Sequence, residues 1–425
     1  MDDRLDFSMS ASDMDAGDEL SPIRSRFHFP RTEKGADSVY LVGHSLGLQP
    51  KAARDYVDRE LEAWRRLGVE GHFEGDNPWM PYHEALAEPL ARLAGALPIE
   101  VVAMNTLTVN LHLMLVSFYR PTPERHRILI EGSAFPSDQY AVASQAAWHG
   151  FDPAESVIEL RPREGEDFIR TRDVEELLEQ EGETIALVFL GGVNYLTGQA
   201  FDMERIAEAG RRQGCVVGYD LAHAIGNLEL RLHDWDVDFA VWCSYKYLNG
   251  GPGCVGGCFV HERHGRSDDL PRFAGWWGHD KATRFRMPEV FEATPGAEGW
   301  QLSNPPILPL AALRASLELF DEAGMDRLRA KSERLTGYLV HLLRTRFPDG
   351  LSIITPADAE QRGCQVSLRT GPEGRRVHRH LSEHGIWCDW REPDVIRVAP
   401  VPLYNSYSDV HRFVEVMAEG MGSAG

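Results

Sequence analysis

The chain has 425 residues, 43% of them hydrophobic, and carries a formal charge of -21 with a pI near 5.2. That length can bury one large core with a smaller one beside it. So acidic a surface repels phosphate backbones and anionic lipid headgroups, which leaves a small-molecule substrate as the expected partner, with no nucleic acid and no membrane.

The opening MDDRLDFSMSASDMDAGDEL has no basic and apolar leader pattern, and no apolar run is long enough to span a bilayer, so a cytoplasmic location is expected. YLVGHSLGLQP follows, and its Gly-His-Ser-Leu-Gly fits the G-x-S-x-G nucleophile elbow. An elbow serine needs several sheet strands and an oxyanion loop before it, and the roughly forty residues ahead of Ser45 are too few. The expected structure is a tight Gly-flanked turn, from which Ser45 can still face a site. Pro50 then opens the amphipathic pattern PKAARDYVDRELEAWRRLG, which predicts a helix with Pro in its first turn and Gly68 as its stop.

From about Val101 to Val260, short β-branched runs (RILIE, TIALVFL, GCVVGYD, DFAVWCS, GGCFVH) alternate with helical patterns such as DVEELLEQE and FDMERIAEAGRRQ. This predicts an α/β domain with a mostly parallel, buried central sheet flanked by helices and a ligand site at the strands' C-terminal ends. From Leu308 a long helical run leads through LAALRASLELFDEAGMDRLRAKSERLTGYLVHLLRTRF. Strands at LSIITP, CQVSLRT, IWCDW and VIRVAP and helices at RRVHRHLSEHG and YSDVHRFVEVMAEGM then predict a smaller α+β domain. The expected division is an N-terminal segment and arm over 1–75, a large α/β domain over 76–307 and the small domain over 308–425.

Six scattered cysteines point to reduced thiols, with Cys215 and Cys243 as buried fillers. Cys254, Cys258, His261 and His264 match no common zinc spacing, and on a strand Cys258 and His261 project to opposite faces, so no metal is expected.

The informative residues stand at predicted strand ends. Asp220 ends the apolar run VVGYD, with His223 three residues on, and a charge there requires a cationic partner. Lys246 ends the next run, in VWCSYKYLNGG, where an amine readily becomes a nucleophile. An acid and a lysine on neighbouring strand ends meet the needs of pyridoxal phosphate, whose pyridinium nitrogen takes a carboxylate and whose aldehyde takes an amine. Thr106 and Thr108, opening a helical pattern, offer free N–H groups to a phosphate, and Phe135, with Asp138 nearby, could cover a ring. Singly, Thr108 reads as an N-cap, Phe135 as core, Asp138 as a helix cap and His223 as a satisfied polar residue. Together, in this order along an α/β domain, they favour the cofactor.

At these residues the chain resembles the kynureninase family, pyridoxal-phosphate hydrolases of the aminotransferase-like fold type I. The likeness runs from GHSLGLQPK through LTVNLH, AFPSDQYA, YDLAHAIGN, CSYKYLN, GWWGH and SNPPIL to IRVAPVPLYNS. It implies that Lys246 bonds to the cofactor, Asp220 pairs with the pyridinium nitrogen and Phe135 stacks on the ring. Leu107, Thr108, Asp138, His223, Tyr245, Trp276 and Asn304 would make the remaining cofactor contacts. It further implies a homodimer in which Trp276 and Asn304 reach the neighbour's site. Arg397 would grip the substrate α-carboxylate, and Ser45, His72 and Asn304 would line the substrate pocket.

The reaction implied is hydrolysis of the Cβ–Cγ bond of L-kynurenine or 3-hydroxy-L-kynurenine to an anthranilate and L-alanine, with Tyr245 relaying a proton. Polar His72 and Asn304 favour the 3-hydroxy substrate. Two positions depart from the family pattern: His44 replaces an Asn, and Gly191 or Gly192 replaces a Ser. The alternatives are a kynureninase acting on a ring-substituted kynurenine in a biosynthetic route, another fold type I enzyme such as a cysteine desulfurase or aminotransferase, a non-catalytic cofactor-binding scaffold, and a serine hydrolase built on Ser45.

Overall fold

The apolar runs assemble into one seven-stranded sheet in the computed structural model, which describes residues 7, 9–266, 269–348 and 351–422. Its strands are β1 (Val101–Ala103), β2 (Arg127–Glu131), β3 (Val157–Leu160), β4 (Ile185–Gly191), β5 (Val216–Asp220), β6 (Phe239–Cys243) and β7 (Gly256–Val260), in the spatial order β1-β7-β6-β5-β4-β2-β3. The pairings from β6 through β5, β4 and β2 to β3 are parallel, and only β7 runs against its neighbours β6 and β1. The expected mostly parallel sheet is therefore present. Two of its strands escaped the sequence pattern: β1 is three residues long, and β3 is a half-exposed edge.

Strand side chains alternate between two cores, one on each face of the sheet. Leu129, Val188, Leu190, Val217, Tyr219, Ala240, Trp242 and Phe259 enter one core, which the helix Ile307–Ala323 closes. Ile128, Ile130, Leu187, Phe189, Phe239, Val241, Cys258 and Val260 enter the other, under the helices Leu107–Phe118 and Pro136–Trp148. Two glycines make room for aromatic rings on the adjoining strand. Gly218 lies opposite Phe239 and Gly257 opposite Trp242, and a Cβ on either would fall within 2.3 Å of the ring.

The C-terminal part forms a four-stranded antiparallel sheet (Ser352–Ile353, Val366–Arg369, Val395–Val398, Asp389–Arg391) packed with the helices Met325–Arg346, Gly374–Glu383 and Tyr407–Gly422. The beginning of the chain docks on it. Met14 and Leu41 join its core, the Asp15 carboxylate accepts the N–H of Tyr407 at 2.7 Å, and Asp18 pairs with buried Lys331 at 2.7 Å.

Three expectations change. The helix after Pro50 starts only at Ala53, because Gln49–Pro50 pairs as a short strand with Phe27–His28 and the Lys51 N–H bonds the Arg26 carbonyl. The long run from 308 is two helices, Ile307–Ala323 and Met325–Arg346, broken at Gly324 with φ +76°. IWCDW serves two sheets: Ile386–Trp387 pairs with Val39–Tyr40, and Asp389–Arg391 with Val395–Val398. Among the described residues no helix is long and apolar enough to cross a membrane. Cys258 sits in one core with its Sγ 3.4 Å from Met114 Sδ, Cys254 sits in the other, and His261 caps the N–H of Arg263, so that group does not converge.

Gly218→Ala is expected to lower the free energy of unfolding by about 1–3 kcal/mol, because the Phe239 ring cannot leave a filled core. Urea titration measures this, and an unchanged midpoint would show that the ring has room to move.

Candidate active site

The ends of β2, β4 and β5, the segment after β6 and the starts of two helices enclose a cavity. It is lined by Leu107, Thr108, Glu131, Phe135, Ser137, Asp138, Gly191, Val193, Tyr195, Asp220, Ala222, His223, Tyr245 and Lys246. β5 delivers Asp220, whose carboxylate accepts the N–H of Ala222 at 2.7 Å. The segment after β6 delivers Lys246, whose Nζ lies 3.1 Å from His223 Nε2. Thr106 precedes the helix Leu107–Phe118 without capping it through its side chain, and the helix's first backbone bond is donated by Asn110, so the N–H groups before it are free for an anion. Phe135, 45% exposed, stands edge-on to Tyr195 with ring centres 5.3 Å apart.

Burial dominates the electrostatics. It raises the carboxyls of Asp138 and Asp220 above the usual range and pushes Glu131 up to about 7. Asp138 is raised further by the negative charges of Asp220 and Glu131, whereas Lys246 and the Ala222 N–H hold Asp220 down. The protonated form is therefore favoured at Asp138 more than at Asp220. Burial, and then the charge of Lys246, depress His223, so its neutral ring can accept from the lysine. Burial and the neighbouring Cys243 raise the Tyr245 hydroxyl, which stays protonated.

The Gly-His-Ser-Leu-Gly turn lies against the lysine segment. The Gly47 N–H bonds the Tyr245 carbonyl at 2.9 Å, and a Cβ on Gly47 would sit 2.3 Å from the Lys246 carbonyl. A Cβ on Gly43 would strike the Tyr404 hydroxyl at 2.3 Å. The glycines thus serve close approach to the lysine segment rather than an elbow.

The cavity fits pyridoxal phosphate on its own chemistry: an amine, a buried carboxylate, an unfilled helix start, and buried polar atoms with no partner at Asp138 Oδ1 and His223 Nδ1. A model of the kynureninase C-terminal domain matches residues 328–417. The chain is 64% identical over 405 residues to the kynureninase of Koribacter versatilis, covering 95% of this chain and 96% of that one. It is 62% identical over 408 residues to the kynureninase of Myxococcus xanthus, covering 96% of each. The chain belongs to the kynureninase family. Solved structures show the same fold at lower identity. A C-DES mutant with glycine covalently linked to its pyridoxal-phosphate cofactor matches with TM-score 0.78 at 19% identity, covering 93% of this chain and 99% of that one. The cysteine desulfurase CsdA of Escherichia coli matches with TM-score 0.76 at 17% identity, covering 95% and 98%. The sheet order and the two flanking cores are therefore those of fold type I, as the resemblance implied. This kynureninase family member buries all six of its cysteines.

Of the residues singled out from the sequence, Leu107, Thr108, Phe135, Asp138, Asp220, His223, Tyr245 and Lys246 meet at the cavity. Ser45, His72, Trp276, Asn304 and Arg397 do not line it. His72 is half-buried, its Nδ1 3.0 Å from the Val69 carbonyl, while Trp276 and Asn304 are exposed. Arg397 is 1% exposed and bonded to Asp389 and to the Tyr195 carbonyl. Of the two departing glycines, only Gly191 lines the cavity, and a Cβ there would press on the Glu131 carboxylate at 3.2 Å.

Glu131 itself went unnoticed in the sequence. It ends the apolar strand RILIE as Asp220 ends VVGYD, so the rule that found one finds the other. Its carboxylate accepts from the Gly191 N–H at 2.8 Å and from Asn194 Nδ2 at 3.1 Å, tying β2 to the turn after β4.

An unfolded glutamate loses its proton near 4.5, whereas folded Glu131 keeps its own up to about 7. Between those values the folded chain binds the extra proton, so this group's contribution to stability declines as pH rises through that window. Glu131→Gln is expected to flatten the fall in unfolding free energy from pH 4.5 to 7. A slope equal to wild type would refute the assignment.

Proposed function

We propose that this protein hydrolyses the Cβ–Cγ bond of L-kynurenine and 3-hydroxy-L-kynurenine, releasing anthranilate or 3-hydroxyanthranilate and L-alanine, and that it favours the 3-hydroxy substrate. The reading rests on one observation: the amine, the paired acids and the open helix start converge in a chain 64% identical to a kynureninase.

The N–H groups at Leu107 and Thr108 would hold the cofactor's phosphate, the Asp220 carboxylate its ring nitrogen, Phe135 its ring face and Lys246 Nζ its aldehyde carbon. Pyridoxal phosphate, when bound, supplies an electron sink for the carbanions of the reaction. Lys246 Nζ would carry the proton taken from the substrate's α-carbon, with His223 beside it as the acceptor that orients the amine. Protonated Asp138 keeps Asp220 anionic beside a cation. The Tyr245 hydroxyl, held protonated by burial, would deliver the proton that completes L-alanine. Arg397 would take the substrate α-carboxylate as a bidentate pair.

His72 and Asn304 are polar, and a polar lining satisfies the ring hydroxyl that an apolar one leaves unpaired. Asn304 and Trp276 stand exposed and away from the cavity of their own chain, which supports a homodimer in which each completes the partner's site. With this reading go a cytoplasmic location, a place in tryptophan catabolism or NAD biosynthesis, and the division at 75/76 and 307/308.

Mixing the purified protein with pyridoxal phosphate is expected to give a visible absorbance band that Lys246→Ala abolishes, with turnover of both substrates falling by about 10²–10⁴-fold or more. A colourless protein inert to both would overturn the reading. His72→Trp with Asn304→Thr is expected to lower the 3-hydroxykynurenine to kynurenine ratio of kcat/KM by about tenfold. An unchanged ratio would remove the preference and leave the reaction.

A further inference from the structure

We propose that Asp389 stands in for the substrate's α-carboxylate on Arg397 while the site is free, and passes to His44 when the substrate arrives, so that binding takes up one proton from solvent at His44. The inference rests on the reading of Arg397 as the carboxylate's partner.

Arg397 is buried and its fork is already in use. Nη1 donates to the Tyr195 carbonyl at 2.5 Å, Nη2 donates to Asp389 Oδ2, and Nε has no partner. A substrate carboxylate binds a guanidinium best through two adjacent N–H groups. One adjacent pair is Nε and Nη2, and Asp389 occupies half of it. Asp389 and Arg397 face each other across neighbouring strands, so the contact is built into the register. The aspartate can leave. Its side chain is 20% exposed and already shares Oδ2 with Arg391 Nε at 3.1 Å, and Arg391 is 38% exposed.

His44 is the acceptor of that move. It is fully buried, both ring nitrogens lack hydrogen bonds, and Nε2 lies 3.5 Å from Asp389 Oδ2, one side-chain rotation from contact. The charged and titratable groups facing it are Asp389 and Arg391 on one strand, Arg397 on the next, and Lys246 and His223 from the segments after β6 and β5. In the free site burial, and then Arg397, Lys246 and Arg391, hold the imidazole well below its ordinary range, so it is neutral.

An arriving carboxylate cancels the charge of Arg397 and releases Asp389 toward the ring, and both changes favour the imidazolium. Free, the set Arg397, Arg391 and Asp389 carries one net positive charge. The carboxylate brings it to zero, and the proton on His44 restores it.

The test is isothermal calorimetry on the pyridoxal-phosphate-loaded, full-length protein at neutral pH. The probe is L-alanine, an α-amino acid with no Cβ–Cγ bond to cleave, titrated in two buffers of different ionisation enthalpy. Wild type is expected to take up between about half a proton and one proton more per site than His44→Asn. Asp389→Asn, with no carboxylate to hand over, is expected to lose the same uptake. A weakened L-alanine affinity in Arg397→Lys alongside equal proton uptake by wild type and His44→Asn would overturn the inference alone. An unchanged affinity in Arg397→Lys would overturn the carboxylate reading and the inference with it.

Discussion

Burying three carboxyl groups around a single ammonium is the constraint that organises this molecule. Carboxylates removed from water cost several kcal/mol each unless donors replace the lost hydration. Glu131 receives one donor from the last residue of β4 and one from the turn after it, Asp220 receives the Ala222 N–H, burial favours the protonated form of Asp138, and Lys246 supplies a cation to the cavity wall. Each of those donors must be held in place, which requires a rigid support. The two cores on either face of the sheet provide it, and the glycine-flanked turn at 43–47 closes it from below.

The same turn after β4 connects the cavity to the C-terminal part of the chain. Asn194 bonds Glu131 through its amide nitrogen and gathers the N–H groups of Leu196 and Thr197 on its oxygen. The Tyr195 carbonyl between them accepts from both Gln365 and Arg397. One short hydrogen-bonded segment therefore connects Arg397 to Glu131.

Much of this was legible in the sequence, for a specific reason. A lone charge at the end of an otherwise apolar run has few explanations, so Asp220 and Lys246 stood out, and the runs themselves marked five of the seven strands. Glu131 carried the same signal and was passed over. β1 and β3 were too short or too exposed to show a pattern, and Pro50 misled because its first-turn preference lost to pairing with Phe27. The partner of Arg397 was readable in principle, since Glu-Pro-Asp between DWR and VIRV marks a hairpin that sets residue 389 opposite 397. Trp276, Asn304 and His72 rested on resemblance alone, and nothing in a single chain's pattern places them near the cavity.

The floor beneath Lys246 joins two segments far apart along the chain. Val42 bridges Ala399, and Gly43 packs on the Tyr404 hydroxyl, some 360 residues downstream. At a synthesis rate of about 5–20 residues per second, the ribosome leaves that turn without its cover for roughly 20–70 seconds. Lys246 emerges within that interval, so the strand ends and the turn beneath them are laid down before Ala399 and Tyr404 can cover that turn.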